Sequence, residues 1–272
     1  MAVIVPVFDP EDPRIEPYRA VRERDLVGRA GLFVAEGRVV LEKLVRAGRH
    51  PVRSLLLARA RVASLEPLIA ELSPEVPVYV AEQAVMDAIA GFPMHRGVLA
   101  LGERRPVAAE ALLAGLGPEA VVVGLSAIAN HDNMGGVFRN AAAFGADAVL
   151  LDQACCDPLY RKAIRVSVGA ALTMPFARVA ADADLAETLA AAGLEVVALS
   201  PRGEVELSEL RCGPRVAALF GAEGPGLAPE LLSRTRTVRI DMAAGFDSLN
   251  VATTSGLVLY QLRQRRFIER RA

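Results

Sequence analysis

The sequence predicts an α/β protein built on an open, mostly parallel sheet with helices on both faces. Short apolar runs alternate with segments of helical period along the whole chain, the pattern of repeated strand–helix units. Two runs, Val121-Val122-Val123-Gly124-Leu125 and Val216 to Phe220, are continuously apolar, as expected of parallel strands covered on both sides. Glycine-containing loops dotted with isolated polar residues follow or abut such runs, and ligands of open parallel sheets gather beyond the carboxyl ends of the strands.

In chain order, a basic leader precedes a strand from Leu32 and a helix over Arg38 to Ala47. A strand at Val52 to Ala58, a helix over Val62 to Leu72 and a strand at Val76 to Val80 come next. A helix over Glu82 to Ala90 and a strand at Gly97 to Leu101 complete a small α/β layer. Arg104-Arg105-Pro106 marks a boundary, giving domains over 1–105 and 106–272. The second domain reads as a helix over Val107 to Leu116, the Val121 strand, a helix over Met134 to Phe144 and a strand at Ala148 to Leu151. A helix over Arg161 to Ala171, a strand at Phe176 to Val179, a helix over Leu185 to Ala192 and a strand at Glu195 to Leu199 follow. The Val216 strand, a short strand at Val238 to Met242 and a final helix over Val251 to Arg265 close the chain.

Length and composition set the class. The 272 residues are 53% hydrophobic, enough for a well-buried core. No apolar run is long enough to span a bilayer, and Met1 to Pro13, with acids and prolines, lacks the order of a secretion signal. Three cysteines (Cys155, Cys156, Cys212) without a CxxC pair point to reduced thiols in the cytoplasm. The adjacent Cys155 and Cys156 read as small buried thiols. The three histidines are scattered, so no metal-ligand cluster is expected.

Net charge is −1, a weak argument against nucleic acid. The distribution argues the other way. Between Arg14 and Arg61 stand 12 Lys+Arg against 5 Asp+Glu. Arginine forks suit phosphate, and a solvated helix face is the alternative reading.

Three loops carry the chemistry. The first, Asn130 to Ala141, holds Asn133, Gly135 and Arg139 in the order N-x-G-x-x-x-R. Its glycine bends the chain into a helix whose amides can meet an anion, and Arg139, one turn on, either reaches the same ligand or pairs with a surface acid. The second, Gly221-Ala222-Glu223-Gly224-Pro225-Gly226, suggests a backbone wrapped against a flat ligand. Glu223 can hold a hydroxyl, an ammonium or Arg139, and Pro229 suits a first helical turn. The third runs from Ile240-Asp241-Met242 to Ser248-Leu249-Asn250-Val251. Ser248 is a natural helix cap, Asn250 can line a pocket, and Leu249 between them faces the other way. No G-x-G-x-x-G follows the first strand of the second domain and no G-x-x-x-x-G-K-[ST] is present, so dinucleotide and phosphate-cradling loops lack support.

Together these residues resemble the SpoU group of RNA ribose 2′-O-methyltransferases in the SPOUT superfamily. The matching motifs are N-x-G-x-x-x-R-x-A around Asn133 to Ala141, F-G-x-E-x-x-G at Phe220 to Gly226, and the third loop with its S-L-N-V. The resemblance covers Val121 to the last helix, and the first unit is more loosely similar to the family's small RNA-binding domain. Three departures flank the motifs: His131 and Asp241 where the family has proline, and Ala252-Thr253 for Ser-Val. The resemblance implies a deep trefoil knot, a homodimer whose interface includes the apolar final helix (Val251, Leu257, Val258, Leu259), and S-adenosylmethionine bound by Gly221, Ile240 and Leu249 largely through backbone. It implies a reaction site of Arg139, Glu223, Ser248 and Asn250, with Asn133 and Arg139 toward RNA. In this expectation Arg139 is a cation that orients phosphate and stabilises an alkoxide, Glu223 holds Arg139, Ser248 and Asn250 place the ribose, and a phosphate or water takes the proton. The substrate is ribosomal or transfer RNA, no membrane is involved, and the 1–105 domain supplies phosphate contacts. The rival readings are an RNA-binding protein of the same fold without turnover, and a nucleotide-dependent oxidoreductase.

Overall fold

A computed structural model describes residues 2–19, 27, 30–90 and 96–269. Arg22, Arg24 and Arg29 of the basic leader lie outside the described residues. In chain order the elements begin with β1 (Ile4–Val7), β2 (Leu32–Glu36), α1 (Arg38–Ala47), β3 (Val52–Ala58), α2 (Val62–Ala70), β4 (Val78–Ala81), α3 (Gln83–Ala90) and β5 (Val98–Glu103). They continue with α4 (Ala109–Ala114), β6 (Ala120–Leu125), α5 (His131–Ala143), β7 (Ala148–Leu151), α6 (Arg161–Val166), α7 (Ala170–Thr173) and β8 (Phe176–Arg178). Then come α8 (Leu185–Ala191), β9 (Glu195–Leu199), β10 (Val205–Glu206), β11 (Arg215–Phe220), α9 (Pro229–Leu232), β12 (Arg236–Arg239) and α10 (Val251–Glu269).

The chain forms two compact units, Met1–Arg105 with Asp157–Thr173, and Pro106–Cys156 with Met174–Ala272. The first unit holds a five-stranded sheet in the order β1-β4-β3-β5-β2. Strands β1, β4 and β3 are parallel, while β5 runs antiparallel to β3 and β2. Leu55, Leu56 and Leu57 are wholly buried, which accounts for the unbroken apolar run of β3. Strand β1 had no clear signature because Pro6 interrupts it and Ile4 is 54% exposed. Both are tolerated at a sheet edge.

Residues 157–173 depart from the expected 106–272 domain by packing with the first unit, α6 against β2 and α7 against α1. The helix expected over Arg161 to Ala171 is broken in two by left-handed backbone at Val168 (φ 52°) and Gly169 (φ 76°). That conformation is costly for a β-branched residue. Here Lys43 Nζ donates to the Val168 carbonyl at 2.7 Å, and Arg161 pairs with the buried Glu36.

The second unit is a seven-stranded parallel sheet in the order β10-β12-β9-β11-β6-β7-β8. All six residues of β6 are buried. Asp152, just past β7, accepts from the backbone N–H groups of Ala127, Ala154 and Cys155 and from the Ser126 hydroxyl. It thereby fixes the loop that leads into α5. That helix begins at His131 under a cap from the Asn130 side chain, which accepts from Asp132 N at 2.8 Å. Asn133 and Gly135 are therefore inside the helix, and Gly135 does not bend the chain into it as the sequence suggested.

Burial also creates a pH-sensitive point in the first unit. His50 is 5% exposed, edge-on to Phe33 with ring centroids 5.4 Å apart, and its Nδ1 accepts from Arg105 N. Burial, with the charges of Arg49, Arg104 and Arg105, pushes its pKa down to about 4. The unfolded chain takes up that proton near the ordinary histidine value of about 6.5. The stabilisation from neutral His50 is thus complete above that pH and lost as pH falls toward 4. Urea midpoints are expected to drop more between pH 7 and 4 in the parent than in His50→Gln, and equal drops would contradict this.

Candidate active site

Strands β12, β9 and β11 are neighbours with their carboxyl ends together, and the loops that leave them enclose a cleft of about 210 Å³. Leu199, Ser200 and Pro201 line it after β9, Phe220 to Leu227 after β11, and Ile240, Met242, Ser248 and Leu249 after β12. The Leu199–Pro201 turn was not singled out from sequence. It carries no glycine, and its only signal was its position after a strand.

Local chemistry explains the shape of the β11 loop. Gly226 N donates to Ala222 O at 3.0 Å, folding the loop back on itself, with Gly224 and Gly226 at φ 85° and 73°. A Cβ on Gly221 would overlap the backbone of Gly226 and Leu227, so only glycine fits there. Gly221, Ile240 and Leu249, expected at the cofactor, all line the cleft. Ser248 and Leu249 line it together, which corrects the expectation that Leu249 faces away.

Asn250 joins the three motif loops. Its Oδ1 accepts from Ala252 N at 2.9 Å and Thr253 N at 3.2 Å, so Asn250 caps α10, where Ser248 was the expected cap. Its Nδ2 donates to Asn133 Oδ1 at 2.8 Å and to Glu223 Oε1 at 3.2 Å. Ser248 instead donates to Asp247. Glu223 is exposed and receives Asn250, and does not hold Arg139. Arg139 is exposed on α5, does not line the cleft and makes no ion pair among the described residues. Asn133, expected toward RNA, is 5% exposed.

Sequence reading missed the support behind this arrangement. A Cβ on Gly136 would lie 2.6 Å from the Cβ of Ala252, so a bare helix turn lets the start of α10 approach α5. Asn140 Nδ2 donates to Ala252 O at 2.6 Å and to the fully buried Ser255 hydroxyl at 3.0 Å. Phe246, on the same loop as Ser248, is 76% exposed. Cys155 is a buried thiol between Leu125 O and Ile128 N, and burial pushes its pKa up to about 12. Among the described residues no group of His, Cys, Asp and Glu is arranged to hold a metal ion.

The double use of Asn250 can be separated. Asn250→Ala is expected to cost about 1–2 kcal/mol from the cap alone, and more because Asn133 and Glu223 lose their donor. Asn250→Asp keeps the cap acceptor but removes the donor and faces Glu223 with a second carboxylate. Urea denaturation should place Asp between the parent and Ala. Equal stability of all three would mean that the Asn250 bonds contribute nothing.

Comparison with known proteins agrees with this geometry. Residues 120–260 match the SpoU rRNA Methylase family. An uncharacterized tRNA/rRNA methyltransferase of Mycobacterium bovis is 39% identical over 265 residues, which cover 94% of this chain and 90% of that protein. The AdoMet-bound rRNA methyltransferase of Sinorhizobium meliloti superposes with a TM-score of 0.83 at 24% identity, covering 96% of this chain and 98% of that one. The SpoU methyltransferase AviRb of Streptomyces viridochromogenes, in complex with AdoMet, gives 0.79 at 23% identity over 94% and 99% of the two chains. The motif positions, the sheet beneath them and a relative matched along nearly its whole length converge: this chain belongs to the SpoU rRNA methylase family.

Proposed function

We propose that this protein transfers a methyl group from S-adenosylmethionine to a ribose 2′-hydroxyl of RNA, with ribosomal RNA favoured over transfer RNA. The observation that carries the reading is the cleft beyond β9, β11 and β12, closed by the Gly221–Gly226 loop and tied through Asn250 to the helix bearing Arg139. Relatives bear tRNA/rRNA methyltransferase names, and a fold neighbour is described as an RNA 2′-O ribose methyltransferase at 25% identity and a TM-score of 0.76.

The residues present fit the cofactor. Leu199, Leu227, Val238, Ile240 and Leu249 supply apolar walls, and Gly224 and Gly226, with open space where a Cβ would stand, leave bare backbone along the cleft. When bound, S-adenosylmethionine supplies an electrophilic methyl group on a positively charged sulfur. The chain's own residues then have three tasks. Ser248 and Asn250, at the start of α10, place the ribose. Glu223, bonded to Asn250, fixes the rim of the cleft. The third task falls to Arg139 on α5. As an exposed cation it orients the target phosphate and stabilises charge developing on the ribose oxygen.

The deep knot belongs to the same reading. Its support is the insertion of β11 between β9 and β6, followed by the return of the chain from β12 to α10 against α5. A homodimer is also proposed, although its candidate surface is narrower than the sequence suggested. Val251, Val258 and Leu259 are buried within the chain, while Leu257 (43%) and Tyr260 (50%), one turn apart on α10, remain exposed. Light scattering at micromolar concentration should give twice the chain mass, and a monomer mass would contradict the proposal.

The function itself is tested by single-turnover transfer of labelled methyl to RNA, together with calorimetry of S-adenosylmethionine in chelator. Metal-free stoichiometric binding and methyl incorporation are expected. Arg139→Ala should slow transfer by orders of magnitude with cofactor affinity nearly unchanged, because Arg139 is off the cleft, and Arg139→Lys should retain part of the rate. Transfer by Arg139→Ala at the parental rate would remove Arg139 from the mechanism. RNA binding without any transfer would leave a binding protein of this fold.

A further inference from the structure

We infer that Phe246, on the loop between β12 and α10, stacks on the base of the nucleotide whose ribose the cleft receives. The inference rests on the RNA reaction proposed above. It adds how the target nucleotide is held by its base, a contact separate from the cofactor walls, from Ser248 and Asn250, and from Arg139. Phe246 is 76% exposed, the most exposed large apolar side chain among the described residues. It meets no other aromatic ring among them, whereas Phe138 with Phe176 and Phe144 with Tyr260 form edge-on pairs.

The backbone presents this ring by construction. Phe246 N donates to Ala243 O at 3.1 Å and closes a turn whose third residue, Gly245, stands at φ 89°. A positive φ at that position favours glycine, so the turn is encoded in Ala243-Ala244-Gly245-Phe246. A phenylalanine left in water forgoes the gain of burial, and a ligand that covers it restores that gain.

Position ties the ring to the reaction. Met242 and Ser248 line the cleft and Phe246 does not. The loop therefore leaves the cleft wall, carries the ring at its rim and returns two residues later at Ser248. In the proposed reaction Ser248 places the ribose. The base hangs from the ribose carbon next to the one bearing the 2′-hydroxyl, so a ribose held at Ser248 brings its base to this rim.

Charge selects which part of the RNA is met. Ile240 to Asn250 contain two carboxylates, Asp241 and Asp247, and no Lys, Arg or His. Asp247 is exposed next to Phe246 in the chain, and Ser248 Oγ donates to it at 3.3 Å. Carboxylates repel phosphates, so this loop is unsuited to the backbone of RNA and suited to an uncharged base. Aromatic side chains stack on any base, because each has a π-face. The contact therefore selects an unpaired base and not a particular one.

The chain contains no tryptophan, so Phe246→Trp places a single fluorophore at the proposed contact and keeps an aromatic face. Its emission is titrated with a mixed-sequence single-stranded RNA oligonucleotide, with an abasic ribose–phosphate oligomer of equal length, and with S-adenosylmethionine alone. The oligonucleotide should quench the emission, and the other two should leave it unchanged. By anisotropy of the fluorescein-labelled oligonucleotide, Phe246→Ala should bind about tenfold more weakly than the parent. Its slope of log affinity against log salt should equal the parental one, since no phosphate contact is lost. Phe246→Tyr should keep the parental affinity, and cofactor affinity should be the same in every variant.

RNA bound by Phe246→Trp without quenching, or equal quenching by the abasic oligomer, would overturn the inference. Quenching by S-adenosylmethionine alone would also overturn it and give the ring to the cofactor. So would blue-shifted emission in the free protein that reddens on dilution, which would make the ring a contact between two copies. Methyl transfer is read separately: base-dependent quenching in a protein that transfers no methyl upholds this contact and defeats the proposed reaction. Parental transfer and parental RNA affinity in Phe246→Ala do the reverse.

Discussion

The arrangement of the second unit depends on how closely the start of α10 approaches α5. Gly136 leaves room for Ala252, and Asn140 bonds the Ala252 carbonyl and Ser255 from the same face. Asn250 is thereby brought within reach of Asn133 and Glu223. One amide then does the work of a cap and of a clamp, its oxygen on the first turn of α10 and its nitrogen on two other loops. A side chain that satisfies backbone amides at a helix start is held in one rotamer. Its second hydrogen bonds are therefore aimed in advance, and Glu223 is placed by the same residue that ends the third loop.

The sheet order explains why these loops meet at all. Strands β9 and β12 are consecutive neighbours in the sheet but are separated in sequence by β10 and β11. Parallel strands carry all their carboxyl ends on one edge, so loops distant in sequence share that edge once β11 is inserted between β9 and β6. The crowded Gly221 follows from this insertion, since the β11 loop must turn back on itself beside the loop from β12.

Most strands and helices of both units were legible because burial on both faces writes continuous apolar runs, as in β3, β6 and β11. What escaped had physical reasons. Strand β1 is an edge strand with a proline, and β10 has two residues. The break at Val168–Gly169 needs a positive φ at a valine, a conformation stabilised by Lys43, 125 residues away in sequence. At the site, sequence placed Gly221, Ile240, Ser248, Leu249 and Asn250 near one another but could not assign partners. Ser248 and Asn250 are both good capping residues, and which of them caps is decided by where Asn133 and Glu223 stand. The pairing of Glu223 with Asn250 was likewise invisible, because an exposed carboxylate near an arginine in a motif suggests an ion pair that the geometry of α5 does not provide.

Arginine usage links the two units. Many arginines of the second unit are already engaged: Arg234 with Asp184 and Glu187, Arg236 with Glu195, Arg239 with Asp241, and Arg178 and Arg215 with backbone carbonyls. Exposed ion pairs such as those of Arg234, Arg236 and Arg239 add little stability, but each offsets its own charge. Net charge over the whole chain, −1, averages these pairs with arginines that have none and so hides the latter. Arg139 in the second unit, and Arg96 and Arg165 in the first, are exposed and make no ion pair among the described residues. Holding such a charge unpaired forgoes a local partner, and a polyanion supplies one through release of its own counterions. In the proposed function Arg139 is such a cation, and the target phosphate of the RNA completes its electrostatics.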